Sequence, residues 1–261
     1  MNHQAVELSF EEFGCGKPLI FLHGYPLNHT IWYPIMPLME KYAQLILPDL
    51  RGHGASPAPK GVYRMDTLAS DVALLMDRLE IEQAILVGHS MGGYVALSFT
   101  SCYPGRVGGL ALVASHCFAD EPEKKKARLE TAERVERARD IQFIIENMLP
   151  NLIEDLCWQD KLRPLMAGTS PTGVAGVLRG MAERQDACQV LTDLDVPMVI
   201  IAGDKDAFVP LQRAEEMAHK IKKPWLEVIR GCGHMPMLEA AQEVSRVLIE
   251  LTQRCALKED N

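Results

Sequence analysis

The stretch Ile85-Leu86-Val87-Gly88-His89-Ser90-Met91-Gly92-Gly93 decides how the rest of the chain is read. Its three leading aliphatic residues predict a buried strand, and residues 91–103 carry a helical pattern. A Gly-x-Ser-x-Gly turn therefore falls at a strand-to-helix junction, the context that gives the pattern meaning. A serine on so sharp a turn takes a strained backbone conformation. The residues two before and two after it approach one another, which leaves room only for glycine. The turn lifts the hydroxyl above the sheet, where the helix N-terminus offers backbone N–H groups and the positive end of its dipole. Ser90 is the candidate nucleophile.

Outward from this turn, short apolar runs alternate with amphipathic segments. Residues 19–22, 43–47, 84–87, 110–114, 198–202 and 226–229 predict strands, and residues 67–79, 91–103, 212–221 and 242–257 predict helices. Continuous apolar strands alternating with helices mark a parallel sheet covered on both faces. The residues before Phe13 are expected to add an antiparallel hairpin at the sheet edge. From 118 to 191 the alternation stops and only helices are visible. Residues 122–139 are densely charged, with Glu130/Arg134 and Glu133/Arg137 at i,i+4 spacing, so this helix is expected to face solvent. An all-helical insertion is most economically a lid over the carboxyl ends of the strands, where ligands bind in open α/β sheets. The division expected is a core of residues 1–117 and 192–261 with a lid of residues 118–191.

Three further motifs sit at predicted strand ends. Acyl transfer needs two donors for the developing oxyanion. The N–H of Met91, directly after the nucleophile, is one. The loop His23-Gly24-Tyr25-Pro26 supplies the other through Tyr25, because Pro26 has no N–H. His23 itself is expected to brace this loop. Gly203-Asp204-Lys205-Asp206 and Gly231-Cys232-Gly233-His234 leave the last two strands, giving the chain order Ser, Asp, His. His234 is the candidate base and Asp206 the acid that fixes its tautomer, with Asp204 as competitor. Asp49 and Arg51, in Asp49-Leu50-Arg51-Gly52-His53-Gly54, are expected to hold turns by hydrogen bonds, and Cys232 to pack rather than react.

At 27 Lys+Arg against 35 Asp+Glu in 261 residues, the net charge of −8 argues against nucleic acid as a partner. Lys124-Lys125-Lys126 lies among Glu121, Glu123, Glu130 and Glu133 and is expected to be a solvated helix face. Seven cysteines without a C-x-x-C pair suit neither a disulfide framework nor a zinc site, and predict reduced thiols in a cytoplasmic protein. No H-E-x-x-H or Cys/His cluster suggests a metal, and no motif asks for a cofactor. No run approaches the ~20 apolar residues of a membrane helix. A monomer or homodimer acting on a small molecule is expected.

On these motifs the chain resembles the α/β-hydrolases over nearly its whole length. The matching residues are His23-Gly24-Tyr25-Pro26, Asp49-x-Arg51-Gly52-His53-Gly54-x-Ser56, Gly88-x-Ser90-x-Gly92-Gly93, Gly203-x-x-Asp206 with Pro210, and Gly233-His234. Within that superfamily it is similar to the small carboxylesterase, enol-lactonase and non-haem haloperoxidase-like branch. The resemblance implies a three-layer fold with an eight-stranded, mostly parallel sheet and a helical lid after the sixth strand. It also puts Asp206, not Asp204, at the acid position. The expected activity is serine hydrolysis of a carboxylic ester, lactone or thioester. C–C bond hydrolysis, perhydrolysis or ligand reception without turnover are the alternatives. Met148, Leu152, Trp158 and Met181 are the lid candidates for lining a pocket, and an apolar acyl group is the expected substrate. Arg163, Arg179 and Arg184 are the lid cations that would oppose that expectation by anchoring a carboxylate.

Overall fold

A computed structural model describes residues 4–223 and 225–255. Its strands are β1 (Phe10–Phe13), β2 (Pro18–Leu22), β3 (Gln44–Pro48), β4 (Ala84–His89), β5 (Val107–Val113), β6 (Met198–Gly203) and β7 (Leu226–Ile229). They form one sheet in the order β1-β3-β2-β4-β5-β6-β7. All neighbours pair parallel except β1, which runs antiparallel to β3. Every residue of β4, β5 and β6 is buried. Alternate side chains of a strand point to opposite faces, so both faces of the central sheet are covered, as continuous apolar runs require.

The helices are α1 (Met36–Met39), α2 (Met65–Arg78), α3 (Met91–Cys102), α4 (Pro122–Ala138), α5 (Gln142–Leu152) and α6 (Leu156–Ala167). They continue with α7 (Pro171–Glu183), α8 (Cys188–Asp193), α9 (Leu211–Ala218), α10 (Pro236–Glu239) and α11 (Ala241–Arg254). Helix α11 buries Val244, Val247, Leu248 and Leu251, an i, i+3, i+4, i+7 stripe turned to the core. Its predicted end at Leu257 lies outside the described residues. Helices α4 to α8 fill the interval between β5 and β6. Helix α4 buries only Ala132 and Val135, as its charge density predicts. Glu133 and Arg137 lie 3.7 Å apart, whereas Arg134 lies over the Phe143 ring.

This helical segment is docked by close backbone approach. Gly173, Gly176 and Gly180 share one face of α7, and a Cβ at Gly176 would meet the Gly61 carbonyl at 2.8 Å. The Tyr63 N–H donates to Gly176 C=O at 2.9 Å, fixing α7 to the loop before α2. Thr169 Oγ1 donates to Pro26 C=O at 2.9 Å, tying the segment to the loop after β2.

Three expectations are corrected. The described sheet has seven strands, not eight, so the helices follow the fifth described strand rather than the sixth, and the antiparallel edge is the single strand β1 rather than a hairpin with residues 4–9. Their polar backbone is met by α2 and by loop residues instead: Val6 N–H donates to Asp71 Oδ1, Ser9 N–H to Ser56 Oγ, and Ser9 C=O accepts from Asp49 N–H. With these groups satisfied, no further strand is needed. Second, the cysteines are not all reduced: Cys117 and Cys188 form a disulfide across 71 residues. It joins the end of the chain leaving β5 to the start of α8, closing both ends of the helical segment on each other. The pairing removes the thiol-based support for a cytoplasmic location. Third, the lysine run is not wholly a solvated face, because Lys124 borders a cavity. No described helix is long and apolar enough to cross a membrane.

Candidate active site

The turn after β4 is as tight as its glycines imply. Ser90 has φ 52° and ψ −114°, a left-handed conformation that side chains other than glycine rarely adopt. A Cβ at Gly88 would lie 2.5 Å from the Gly92 carbonyl oxygen, and one at Gly92 would overlap Leu22 C=O. Ser115 Oγ donates to Ser90 C=O at 2.7 Å, and Ser90 N–H donates to Val113 C=O at 3.0 Å, so the end of β5 and the residues just after it hold the strained residue from both sides.

Ser90, directly after β4, and His234, in the loop after β7, meet at the carboxyl ends of the strands. Ser90 Oγ lies 3.0 Å from His234 Nε2, and His234 Nδ1 lies 2.9 and 2.8 Å from the two oxygens of Asp206. Asp206 Oδ1 also accepts the N–H groups of Phe208 and Val209, at 2.8 and 2.9 Å, which orients the carboxylate. An ionised carboxylate only accepts, so the His234 proton sits on Nδ1 and the Nε2 lone pair faces the serine hydroxyl. Such a line can take the hydroxyl proton as the oxygen attacks. Asp204 lies outside this line: its Oδ1 accepts Gly231 N–H at 2.6 Å, bracing the loop that presents His234.

The surrounding histidines are structural. His89 donates from Nε2 to His234 C=O at 2.8 Å, and burial keeps its pKa well below the ordinary value. His23 Nε2 accepts Leu50 N–H at 2.9 Å, and its Nδ1 lies 2.9 Å from Gly24 C=O. Burial first, and then the neighbouring His53, depress the His23 pKa to about 3, so it braces the loop as a neutral ring. Asp49 accepts from the N–H groups of His29 and Ala55 and from His29 Nδ1. Arg51 forms a buried bidentate pair with Asp71. Both therefore hold turns. Cys232 is buried, which pushes its thiol pKa up and leaves it un-ionised.

A cavity of about 330 Å³ opens above Ser90. Tyr25, Ser90, Met91, Phe208, Val209 and His234 line it from the strand ends. Met91 is the first residue of α3, so its N–H has no intrahelical acceptor. The Tyr25 N–H likewise makes no hydrogen bond to any described residue. From the helical segment come Met148 and Met181, as expected, together with Phe143, Ile144, Asn147 and Leu178. Leu152 and Trp158 do not line it. Leu152 is buried two turns beyond Ile144 on α5, and Trp158 lies on α6 with Lys161 over its ring.

The sequence reading also missed Lys124, Ala127, Arg128 and Thr131, which line the cavity from α4. Their i, i+3, i+4, i+7 spacing marks one helix face, a signal hidden by the surrounding charge. Of the three arginines expected to threaten an apolar pocket, none lines it. Arg179 pairs with Glu136 at 2.7 Å and Arg184 with Asp120 at 2.8 Å. No group of His, Cys, Asp and Glu among the described residues is arranged to hold a metal.

Residues 19–247 match the alpha/beta hydrolase family, so the chain belongs to that family and is an enzyme of the hydrolase class. The AB hydrolase superfamily protein YisY of Bacillus subtilis (strain 168) is 31% identical over 270 residues, covering 96% of this chain and 97% of that one. The 3-oxoadipate enol-lactonase 2 of Acinetobacter baylyi is 28% identical, with 97% and 96% covered. Among solved structures, a thermophilic esterase from Thermogutta terrifontis with malate bound superposes with a TM-score of 0.91 at 36% identity, over 95% of this chain and 93% of that one. These relatives fall in the small esterase, enol-lactonase and haloperoxidase-like branch.

Proposed function

We propose that the protein hydrolyses a carboxylic ester, lactone or thioester through an acyl-enzyme on Ser90. The observation that carries this reading is the unbroken line Asp206–His234–Ser90 on the floor of a mostly apolar cavity. Ser90 Oγ attacks the acyl carbon while His234 Nε2 takes its proton. The N–H groups of Tyr25 and Met91 are the donors for the carbonyl oxygen as it gains negative charge. Protonated His234 then passes its proton to the departing alkoxide or thiolate, leaving the acyl group on Ser90. Water attacks that acyl group, again with His234 as base, and Ser90 leaves with the proton restored.

In this reading residues 118–191 are a lid and the remainder the catalytic core. The esterase at 36% identity and the enol-lactonase at 28% support the ester reading. The cavity volume suits a small to medium acyl group. A hydrolysis screen over esters, lactones and acyl thioesters of graded chain length tests the proposal. Turnover should rise over the first few carbons, by up to ~0.8 kcal/mol of transition-state binding per buried methylene, and fall once the cavity is full. Absence of turnover on every member of all three classes would overturn it.

A further inference from the structure

One wall of the cavity carries more hydrogen-bond donors than the protein satisfies. Among the described residues, buried Asp120 is the single carboxylate paired with Arg184, Arg128 and Lys124. Burial raises its pKa, but the hydrogen bond from Arg184 and the Arg128 charge outweigh that and hold it at about 2, so it is ionised. Three cations against one anion leave a local excess of positive charge in an otherwise acidic protein.

The three cations are not equivalent. Arg184 is committed at both terminal nitrogens: they grip both Asp120 oxygens and donate to Met181 C=O and Phe118 C=O at 3.1 Å each, and the guanidinium stacks over Tyr94. Arg128 gives Asp120 only its Nε, at 2.6 Å. Of its two terminal nitrogens, one meets the Met181 sulfur at 3.4 Å and neither finds an oxygen among the described residues. A thioether is a weak acceptor, so this guanidinium is held by its inner edge with its outer edge free. Lys124 Nζ comes no nearer to Asp120 than 3.9 Å. Both residues line the cavity, on the same face of α4. Tyr25 also lines the cavity, and its hydroxyl, in a side chain more than nine-tenths buried, has no hydrogen-bond partner among the described residues. Burial raises its pKa and the Arg128 charge reaches it.

A buried donor left without an acceptor costs free energy, and a neutral apolar ester would leave the outer edge of Arg128 and the Tyr25 hydroxyl unpaired. A carboxylate offers about four acceptor positions and cancels one excess charge. We propose that Arg128, Lys124 and the Tyr25 hydroxyl form a carboxylate subsite, and that the substrate is an ester or lactone with an apolar body and one carboxylate. This rests on the acyl-transfer reading above and refines it. The rest of the lining is largely Met, Leu, Ile, Phe and Val, which leaves no place for a second anion. Arg128 and Lys124 determine specificity here and take no part in the bond changes.

The test is a comparison of monoethyl half-esters, from succinate to pimelate, with ethyl esters of the n-alkanoic acids of the same length, at pH 7.5. The best half-ester should exceed its neutral match about tenfold or more in kcat/KM, mostly through KM. Lys124→Gln and Arg128→Gln should each shrink that ratio at least about threefold, and the double variant should bring it near one. Lys124 is half-exposed and removable without loss of a close ion pair, so Lys124→Gln decides the matter even if Arg128→Gln fails to fold. Calorimetric binding of the same ester pairs to Ser90→Ala protein provides a readout without turnover, with the half-ester expected to bind more tightly. If wild type hydrolyses no ester, the acyl-transfer reading falls while this binding ratio still decides the subsite. Equal or better use and binding of the neutral ester at every length, or a ratio unchanged within twofold in Lys124→Gln, would overturn the proposal.

Discussion

The strand-end loops and the helices between β5 and β6 build opposite walls of one cavity with different chemistry. The loops bring a strained serine, a histidine and a carboxylate locked by backbone N–H groups, each within 3.0 Å of its partner. The helices bring apolar side chains and two cations whose outer donors are uncommitted. In the proposed mechanism the first wall performs the bond changes, which tolerate little displacement. The second selects what is presented to them. Reaction and selectivity should therefore respond to different substitutions.

The largest effect that separates the walls is expected within the loops. Asp206→Asn should lower kcat by roughly 10⁴, because an amide can donate to Nδ1 and favour the wrong imidazole tautomer. Asp204→Asn, two residues away, should change kcat less than about tenfold, since Asp204 braces only the Gly231 turn. Steady-state kinetics on one activated ester measures both, and reversed losses would transfer the acid role to Asp204.

A smaller effect concerns stability. Burial holds His23 at about 3, His53 at about 4 and His116 at about 3, and depresses His89 as well. The unfolded chain takes up these protons near pH 6.5, whereas in the folded chain His23, His53 and His116 do so only near 3 to 4, and His89 well below 6.5. In that window the unfolded state binds more protons, so stability is full above pH 6.5 and is lost as the pH falls. Each such ring contributes about 1.4 kcal/mol per pH unit below 6.5 until its folded value is reached. Urea midpoints should fall steadily from pH 7 to 4. A flat profile would mean that these rings charge without unfolding. Three of the four lie in the strand-end loops, so that wall should be the acid-sensitive one.

The same contrast explains what was legible in the sequence. The loops are specified by short-range steric demands: glycine flanks Ser90 because nothing larger fits, and Asp206 and His234 sit at fixed offsets from strand ends. Such demands leave a local signature. The other wall depends on which helix face turns inward and how far along it the cavity extends. Met148 and Met181 were found, Leu152 and Trp158 lie too far along the segment, and Lys124 and Arg128 were masked by neighbouring charges. The Cys117–Cys188 bond was invisible because its partners are brought together only by the path of the whole segment. The edge strand was overcounted because Asp71 of α2 and the loop residues Asp49 and Ser56, not a hairpin, satisfy the backbone of Val6 and Ser9.

The central claim, that Ser90 is the nucleophile, is tested most directly by reaction with a fluorophosphonate followed by peptide mapping. One equivalent should attach to Ser90, and folded Ser90→Ala protein should take up none while its ester hydrolysis falls by roughly 10⁴ or more. Attachment at another residue, or Ser90→Ala activity within tenfold of wild type, would contradict it.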